Sequence, residues 1–567
     1  MIKKYLRLLL VVAFLIVGAA ACAPIEKAVP TEKASAEKPV PTEKASAEKP
    51  AEKPVLPPAV DKDTIVIAAI GVPNTLDPEH DVSDQFGVAS VHATLVEYKY
   101  IQKPDGSYTI DISYGVQPML AERWDVSDDE LQYTFYLRKG VKSCYGNEIS
   151  TDDVLFTWER HIAINAMGMV NSNLWNLKNI NQIKKIDDLS FRITIPEPRP
   201  FVLSDLAIGH LSILDSKEVK KHITSDDPWA EKWVNNHDSG YGAYCVKELT
   251  AGQQLVLTPN PYWYEGSLPN KVVIYKAIPE NTTRLQLLTS GDVDIALGLN
   301  PSQLEEARKN PQLKVIETDP SNLSLFLMWN NGMEPFNNVK VRQALSYAIP
   351  YEDIINTVFY GHATQGIGPY TPLNPEYDPE AHKSVTDLDK AKKLLAEAGY
   401  PNGFSTQIFC ESNKQQTIDA AVLVASSFKK IGVDVTVEKL SPAVYGERQS
   451  NKTLPIGMWH DYVIVETAAF STPLFWGDPD FILNIANYGK DGYDGFPYME
   501  TMHKALLSID PKEQKALWKD LQRNIIDRAG AGFILYTPYQ IAMNRQVEGF
   551  HWHPDNHVRA RFLYWGK

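Results

Sequence analysis

Four cysteines in 567 residues are too few and too scattered for a metal or disulfide scaffold. They stand at Cys22, Cys144, Cys245 and Cys410, so no zinc-type spacing exists, and with Cys22 set apart one disulfide is the most the rest can form. The usual local signs of catalysis are also missing. There is no Gly-x-Ser-x-Gly elbow, no Gly-rich phosphate loop closing on Lys-Ser/Thr, and no His-Glu-x-x-His helix. Positive charge is scarce: 56 Lys and Arg face 70 Asp and Glu, a net charge of -14, which argues against a nucleic-acid partner because phosphate backbones are held by clustered cations. After the first apolar run no second long one appears.

What is present begins with that run. Lys3, Lys4 and Arg7 precede the apolar stretch Leu8 to Val17, and Gly18-Ala19-Ala20-Ala21-Cys22 follows. The order is that of a secretory signal, residues 1–21, with cleavage leaving Cys22 as a lipid-bearing first residue. Ala19 stands where lipoprotein signals more often carry leucine, and ordinary signal-peptidase cleavage is the competing reading; either places the protein outside the cytoplasm. Residues 22–60 repeat the block Val29 to Pro39 residue for residue from Val40 to Pro50 and end in Pro57-Pro58. Such a Pro-rich, Lys/Glu-alternating tract buries too little apolar surface to fold, and is expected to be a semi-extended leash of up to ~100 Å.

From about Asp61 strand and helix signals alternate to the end. Leu131, Tyr133, Phe135 and Leu137 alternate with polar neighbours, as do Phe191, Ile193 and Ile195, which predicts half-buried strands. Thr151 is placed to cap a helix whose apolar face is Val154, Leu155, Trp158 and Ile162. Asp387 is placed to cap another, through Leu394 and Leu395, stopped by Gly399 and Pro401. A mixed α/β body follows.

Several stretches, in order, carry a resemblance: Asn74-Thr75-Leu76-Asp77-Pro78; Pro118 to Trp124 with Tyr133 to Val141; Thr151-Asp152-Asp153-Val154; Asn260-Pro261-Tyr262-Trp263; Ser290 to Asp294; Val341 to Ile349; and Ala391 to Pro401. Together they resemble the extracellular solute-binding proteins of the peptide/nickel/opine class that serve ABC importers. The resemblance implies an α/β, two-lobed periplasmic-binding-protein-like fold of type II with a subdomain inserted in the first lobe. Carried onto this chain, lobe I comprises 61–95, 206–322 and 540–567, the insertion 96–205, and lobe II 323–539. The chain crosses between lobes near Leu323 to Trp329 and near Phe533 to Tyr539, and the lobes close around a solute.

The resemblance also implies the site. Peptide-binding members hold the solute's α-amino group with an aspartate shortly after a tryptophan, here Trp459 and Asp461, with Asp478 as the alternative carboxylate because Tyr462 to Trp476 reads as extra sequence. Leu297 and Gly298 match a solute-facing segment of lobe I, and Phe326 and Met328 lie at the first crossing. Met328 replaces a glutamate of oligopeptide-binding members, which favours a more apolar solute. Tyr536 and Tyr539 offer rings at the second crossing, or ordinary packing there, and Tyr241 replaces a small residue in a Gly-rich turn, where it either reaches the cleft or covers the turn. His551, His553 and His557 form a cluster without an accompanying carboxylate or thiolate in a ligand pattern, and are expected to be structural rather than metal-binding.

The sequence therefore reads as a monomeric, membrane-tethered receptor of an ABC importer, without cofactor or chemistry, capturing short peptides and handing them to permease subunits. A non-peptide solute such as an oligosaccharide, opine or metal chelate is the alternative; a peptide hydrolase or a chaperone on the same fold is the reading of another class.

Overall fold

The structure is a computed structural model, and it describes residues 63–80, 88–104, 107–110, 115–477, 484, 486–488 and 496–566. The signal, Cys22, the repeated tract and Asp478 lie outside the described residues.

One mixed sheet of eleven strands organises the body. In chain order these are β1 (Thr64–Ala69), β2 (Tyr244–Thr250), β3 (Gln254–Pro259), β4 (Val272–Ala277), β5 (Ile295–Ala296), β6 (Leu313–Trp329), β7 (Thr364–Gln365), β8 (Ser405–Glu411), β9 (Asp434–Leu440), β10 (Ile456–Tyr462) and β11 (Gly532–Asn544). Their spatial order is β2-β3-β4-β1-β5-β11-β6-β10-β8-β9, with β7 against β11. The long strands β6 and β11 are the shared spine. Leu313 to Thr318 of β6 pairs with Tyr539 to Asn544, and Leu323 to Leu327 pairs with Gly532 to Thr537. The register breaks between Thr318 and Leu323, which divides this ladder into two stretches.

Each half has its own parallel pairs, β1 with β4 and β8 with β9, as strands joined through helical crossovers require. The core beneath β8 and β10 is aliphatic and aromatic: Ile408, Val424, Phe428 and Ile456 exclude water completely. Residues of the 96–205 stretch form a separate four-stranded antiparallel sheet, Ala121–Val126, Gln132–Leu137, Ser190–Thr194 and Ile183–Lys185. Tyr133, Phe135 and Leu137 point inward, as do Phe191 and Ile193, so the period-two pattern became one buried face.

Helix Leu388–Glu397 starts where the sequence predicts, with the Asp387 side chain accepting from Lys390 N at 2.9 Å, and ends before Gly399, whose φ of 91° is the left-handed turn that favours glycine. Helix Thr151–Ile164 corrects an expectation. Its cap is Ser150, which forms a capping box with Asp153, whereas Thr151 is buried inside the first turn. One residue separates expected from observed because the fully enclosed Thr151 packs on the strand at Ser190.

The motif residues are largely scaffold. Asp77 is fully buried and receives Arg160 through both guanidinium arms, one of them at 2.9 Å. Asp294 accepts Val66 N at 2.7 Å, and burial pushes its carboxyl up to about 6. Arg342, 1 % exposed, donates to the carbonyls of Phe336, Arg528 and Ala529. Cys144 and Cys245 form a disulfide with Cα atoms 5.8 Å apart, tying the loop after the four-stranded sheet's second strand to β2. Cys410 stays free and buried, its thiol pushed up to about 12 by desolvation.

Candidate functional site

Three segments converge on one cavity. The second half of β6 supplies Ser324, Phe326 and Met328; the loop after β7 supplies Tyr370, Thr371 and Asn374; and β10 with the chain beyond it supplies Trp459, Val463, Glu466, Phe475 and Trp476. Alternation along β6 sends Phe326 and Met328 to this face while Leu325, Leu327 and Trp329 enter the core on the other. Across the ladder Phe326 is the register partner of Trp459, and their rings stack with centroids 5.5 Å apart. Phe475 and Trp476 come from a single π-helical turn, Pro473–Gly477, whose widened winding turns consecutive aromatic residues toward the cavity. The enclosed space is about 20 Å³, room for about one water molecule.

The walls are largely aromatic and apolar; Ser324, Thr371, Asn374 and Ser471 add neutral polar groups, and Glu466 is the carboxyl of the lining. It is 2 % exposed, and its Oε2 accepts from the Thr371 hydroxyl at 3.1 Å, while Oε1 has no hydrogen-bond partner among the described residues. Burial holds this carboxyl well above the usual range; the Thr371 hydrogen bond partly opposes that, and the neighbouring Glu376 adds to it. Glu376 is itself engaged, accepting Ala468 N at 3.0 Å. Tyr370 and Thr472 share a hydrogen bond of 2.6 Å behind the cavity. Phe201, from the 96–205 stretch, meets Phe470 edge to face at 5.9 Å, beside the cavity-lining Ser471.

Of the residues the sequence singles out, Trp459, Phe326 and Met328 meet at this cavity. Asp461 lies on the same strand as Trp459 but faces Lys414, whose Nζ is 3.9 Å away, and accepts from Tyr462 N at 3.0 Å. The Tyr536 hydroxyl is used internally, accepting from Ile367 N and Gly368 N at 3.1 and 3.0 Å, and so fixes the loop that carries Tyr370 and Thr371. The Tyr539 hydroxyl donates to Asn556 O at 3.2 Å, and its ring stacks on Phe550. Leu297 is buried, and the Gly298 carbonyl accepts from Arg284. Tyr241 is fully buried in the turn, where Gly242 approaches Val91 so closely that a Cβ would lie 2.3 Å from its carbonyl carbon. The histidine cluster is tied to structure: His553 and Arg559 both contact Asp555, and His551 stacks between Tyr108 and Phe562.

Sequence reasoning passed over Glu466. A signal was there, since Val463-Ile464-Val465-Glu466 places one acid at the end of an apolar run, inside the segment read as extra sequence.

A family model described as bacterial extracellular solute-binding proteins, family 5 (middle), matches residues 115–481. The probable D,D-dipeptide-binding periplasmic protein DdpA of Escherichia coli is 29 % identical over 510 residues, covering 88 % of this chain and 94 % of the relative. Heme-binding protein A of Haemophilus influenzae is 27 % identical, over 72 % of this chain and 77 % of its own. Among solved structures, the periplasmic binding protein DppA of Helicobacter pylori in complex with the peptide STSA superposes with a TM-score of 0.76 and 26 % identity, covering 89 % of this chain and 98 % of that one.

Proposed function

The chain belongs to the bacterial extracellular solute-binding proteins of family 5, and from that premise we propose that it captures short peptides, or amines with an apolar body, and presents them to an ABC importer. The observation that carries this reading is Glu466: a buried carboxylate oxygen without a hydrogen bond among the described residues, set in an aromatic cavity. An ammonium group supplies the donor that this oxygen lacks, and the rings of Trp459, Phe326 and Trp476 supply apolar contact for the side chains beside it. The DdpA and DppA relatives, which their names and bound ligand connect with peptides, support the peptide class. Glu466 thus takes the anchoring role for which Asp461 and Asp478 are the candidates by sequence. Asp461 does not line the cavity and lies 3.9 Å from Lys414, which pairs more closely with Glu411 at 2.8 Å, and Asp478 lies outside the described residues.

Lobe I is 61–95, 206–322 and 540–567, with the 96–205 insertion, and lobe II is 323–539. The register break in β6 supports placing the hinge there. A cavity of about 20 Å³ is far smaller than a dipeptide, so the segments around it must part to admit solute and close again over it. Closure gives the importer a form to distinguish from the empty receptor. Outside the described residues, lipid on Cys22 and the repeated tract tether the receptor to the membrane; labelling with a lipid precursor, lost in Cys22→Ala, tests this part.

The full chain, purified without refolding, is examined by native mass spectrometry and the released ligand by fragmentation. Short peptides lost in Glu466→Gln support both solute and anchor. A single non-peptide mass overturns the peptide class, and peptides retained at full occupancy in Glu466→Gln overturn the anchor.

A further inference from the structure

A second charged cluster lies apart from the cavity and joins what the preceding reading assigns to different lobes. Helix Pro301–Lys309 carries Glu305 and Arg308, and the first half of β6 carries Glu317. His362 enters from the other side of the break, in the turn just before β7. Its Nδ1 lies 2.8 Å from Glu317 Oε1 and its Nε2 3.2 Å from Glu305 Oε1. Arg308 contacts both carboxylates, at 2.7 Å on Glu305 and more closely on Glu317, and Gln540 Nε2 donates to Glu317 at 2.8 Å.

The chemistry of imidazole makes this arrangement selective for one protonation state. A neutral ring has one N–H donor and one lone pair, whereas an ionised carboxylate only accepts. With a carboxylate oxygen at each nitrogen, the neutral ring sets a lone pair against an anion, and the imidazolium donates to both. Charge gives the same answer: two carboxylates and one guanidinium leave a single negative charge that a protonated His362 balances. The groups that face the ring are thus Glu305 and Arg308 from the helix and Glu317 from β6, with Gln540 of β11 orienting Glu317.

We propose that His362 is a proton-dependent latch between the lobes, holding the receptor closed when the imidazole is protonated and releasing it when the ring loses its proton. The proposal rests on the lobe assignment above, not on the identity of the solute. Opening separates His362 from Glu305 and Glu317, so the protonated ring favours the closed form. The effect is modest because the side chains of His362, Glu305 and Glu317 are 33, 25 and 32 % exposed, leaving the pairs partly screened by water. A closed-to-open ratio about two- to fivefold higher at low pH is expected, shrinking as salt is added. A receptor so built holds its solute longer in acidic surroundings.

The test measures closure without solute. Azido side chains incorporated at Ile186 and Val444, 50 and 42 % exposed and on opposite sides of the crossing, accept a donor and an acceptor dye in the full chain. Single-molecule energy transfer is then recorded at about pH 5.5 and about pH 8, spanning the range where imidazole changes charge. The wild type is expected to shift toward the closed form at the lower pH; His362→Gln is expected to show no shift; and His362→Lys, a cation throughout the range, is expected to remain closed at both. A wild type without a shift, or a His362→Gln variant that keeps it, overturns the latch. One fixed distance under every condition overturns lobe movement as well, whereas an intact pH response in a protein that captures no peptide overturns only the solute class.

Discussion

Asp77 and Glu466 are both carboxylates removed from water, and their surroundings could hardly differ more. Asp77, in the chain that follows β1, is met on both oxygens by Arg160. Glu466, at the cavity, has one hydroxyl on one oxygen and, among the described residues, no hydrogen bond on the other. Burying a charge is tolerated when its partner is built in, and costs stability when it is not. The comparison separates a carboxylate whose partner belongs to the fold from one for which we propose that the partner arrives with the solute.

The contrast breaks most visibly at Asp77. Asp77→Ala leaves Arg160 buried without its anion and is expected to cost about 3–5 kcal/mol of stability in chemical denaturation. An unchanged midpoint would remove the built-in half of the comparison. Close behind stands the disulfide: Cys144→Ser with Cys245→Ser frees a loop closed over a sequence separation of 101, and a loss of about 2–5 kcal/mol is expected in the same assay.

At the cavity the same kind of substitution should reverse its sign. Glu466→Gln is expected to weaken capture of an ammonium-bearing solute by about 2–5 kcal/mol, read by calorimetric titration, while leaving the empty protein no less stable. The pH dependence sharpens this. Because Glu466 is held above its unfolded range, the empty native state keeps a proton that the unfolded chain gives up. Its contribution to stability is therefore present at low pH and declines as the pH rises from the ordinary carboxylate range toward the folded value, by at most about 1.4 kcal/mol per pH unit. Glu466→Gln should flatten that decline, and binding of an ammonium to the wild type should release a proton, seen as a binding enthalpy that varies with the buffer. A buffer-independent enthalpy would mean that Glu466 does not pair with the solute. The smallest effect belongs to Tyr536→Phe, which removes the hydroxyl fixing the Ile367–Gly368 turn; about 1–2 kcal/mol of stability is expected to go, with a smaller change in affinity.

Much of the scaffold was legible before any coordinates because it is written in short-range patterns. Alternation at Tyr133, Phe135 and Leu137 gave a strand face, and Asp387 with Gly399 bracketed a helix. The motifs that carried the family resemblance turn out to be largely scaffold: Asp77, Asp294 and Arg342 all have partners inside the protein, distant along the chain in all three cases. The cap at Ser150 instead of Thr151 shows the limit of local reading, since burial of Thr151 against another strand decided it.

The site was only partly legible. Trp459, Phe326 and Met328 could be named because strand ends near the crossing carry them, and they do meet. Asp461 was the nearer acid in sequence and shares the strand face of Trp459, yet it does not line the cavity and its carboxylate lies 3.9 Å from Lys414. Glu466 lies five residues further on in an apolar run, and what sets it apart is that Thr371, 95 positions away, is the partner it has. The sequence by itself determined the α/β class, the family and the general task, because periodicity, capping and ordered motifs are local or additive along the chain. Tertiary structure alone decided that Glu466, at the cavity, keeps one oxygen without a hydrogen bond among the described residues and that His362 stands between two acids. Both facts depend on side chains brought together from distant segments, and a partner's absence leaves no mark on the residues beside it.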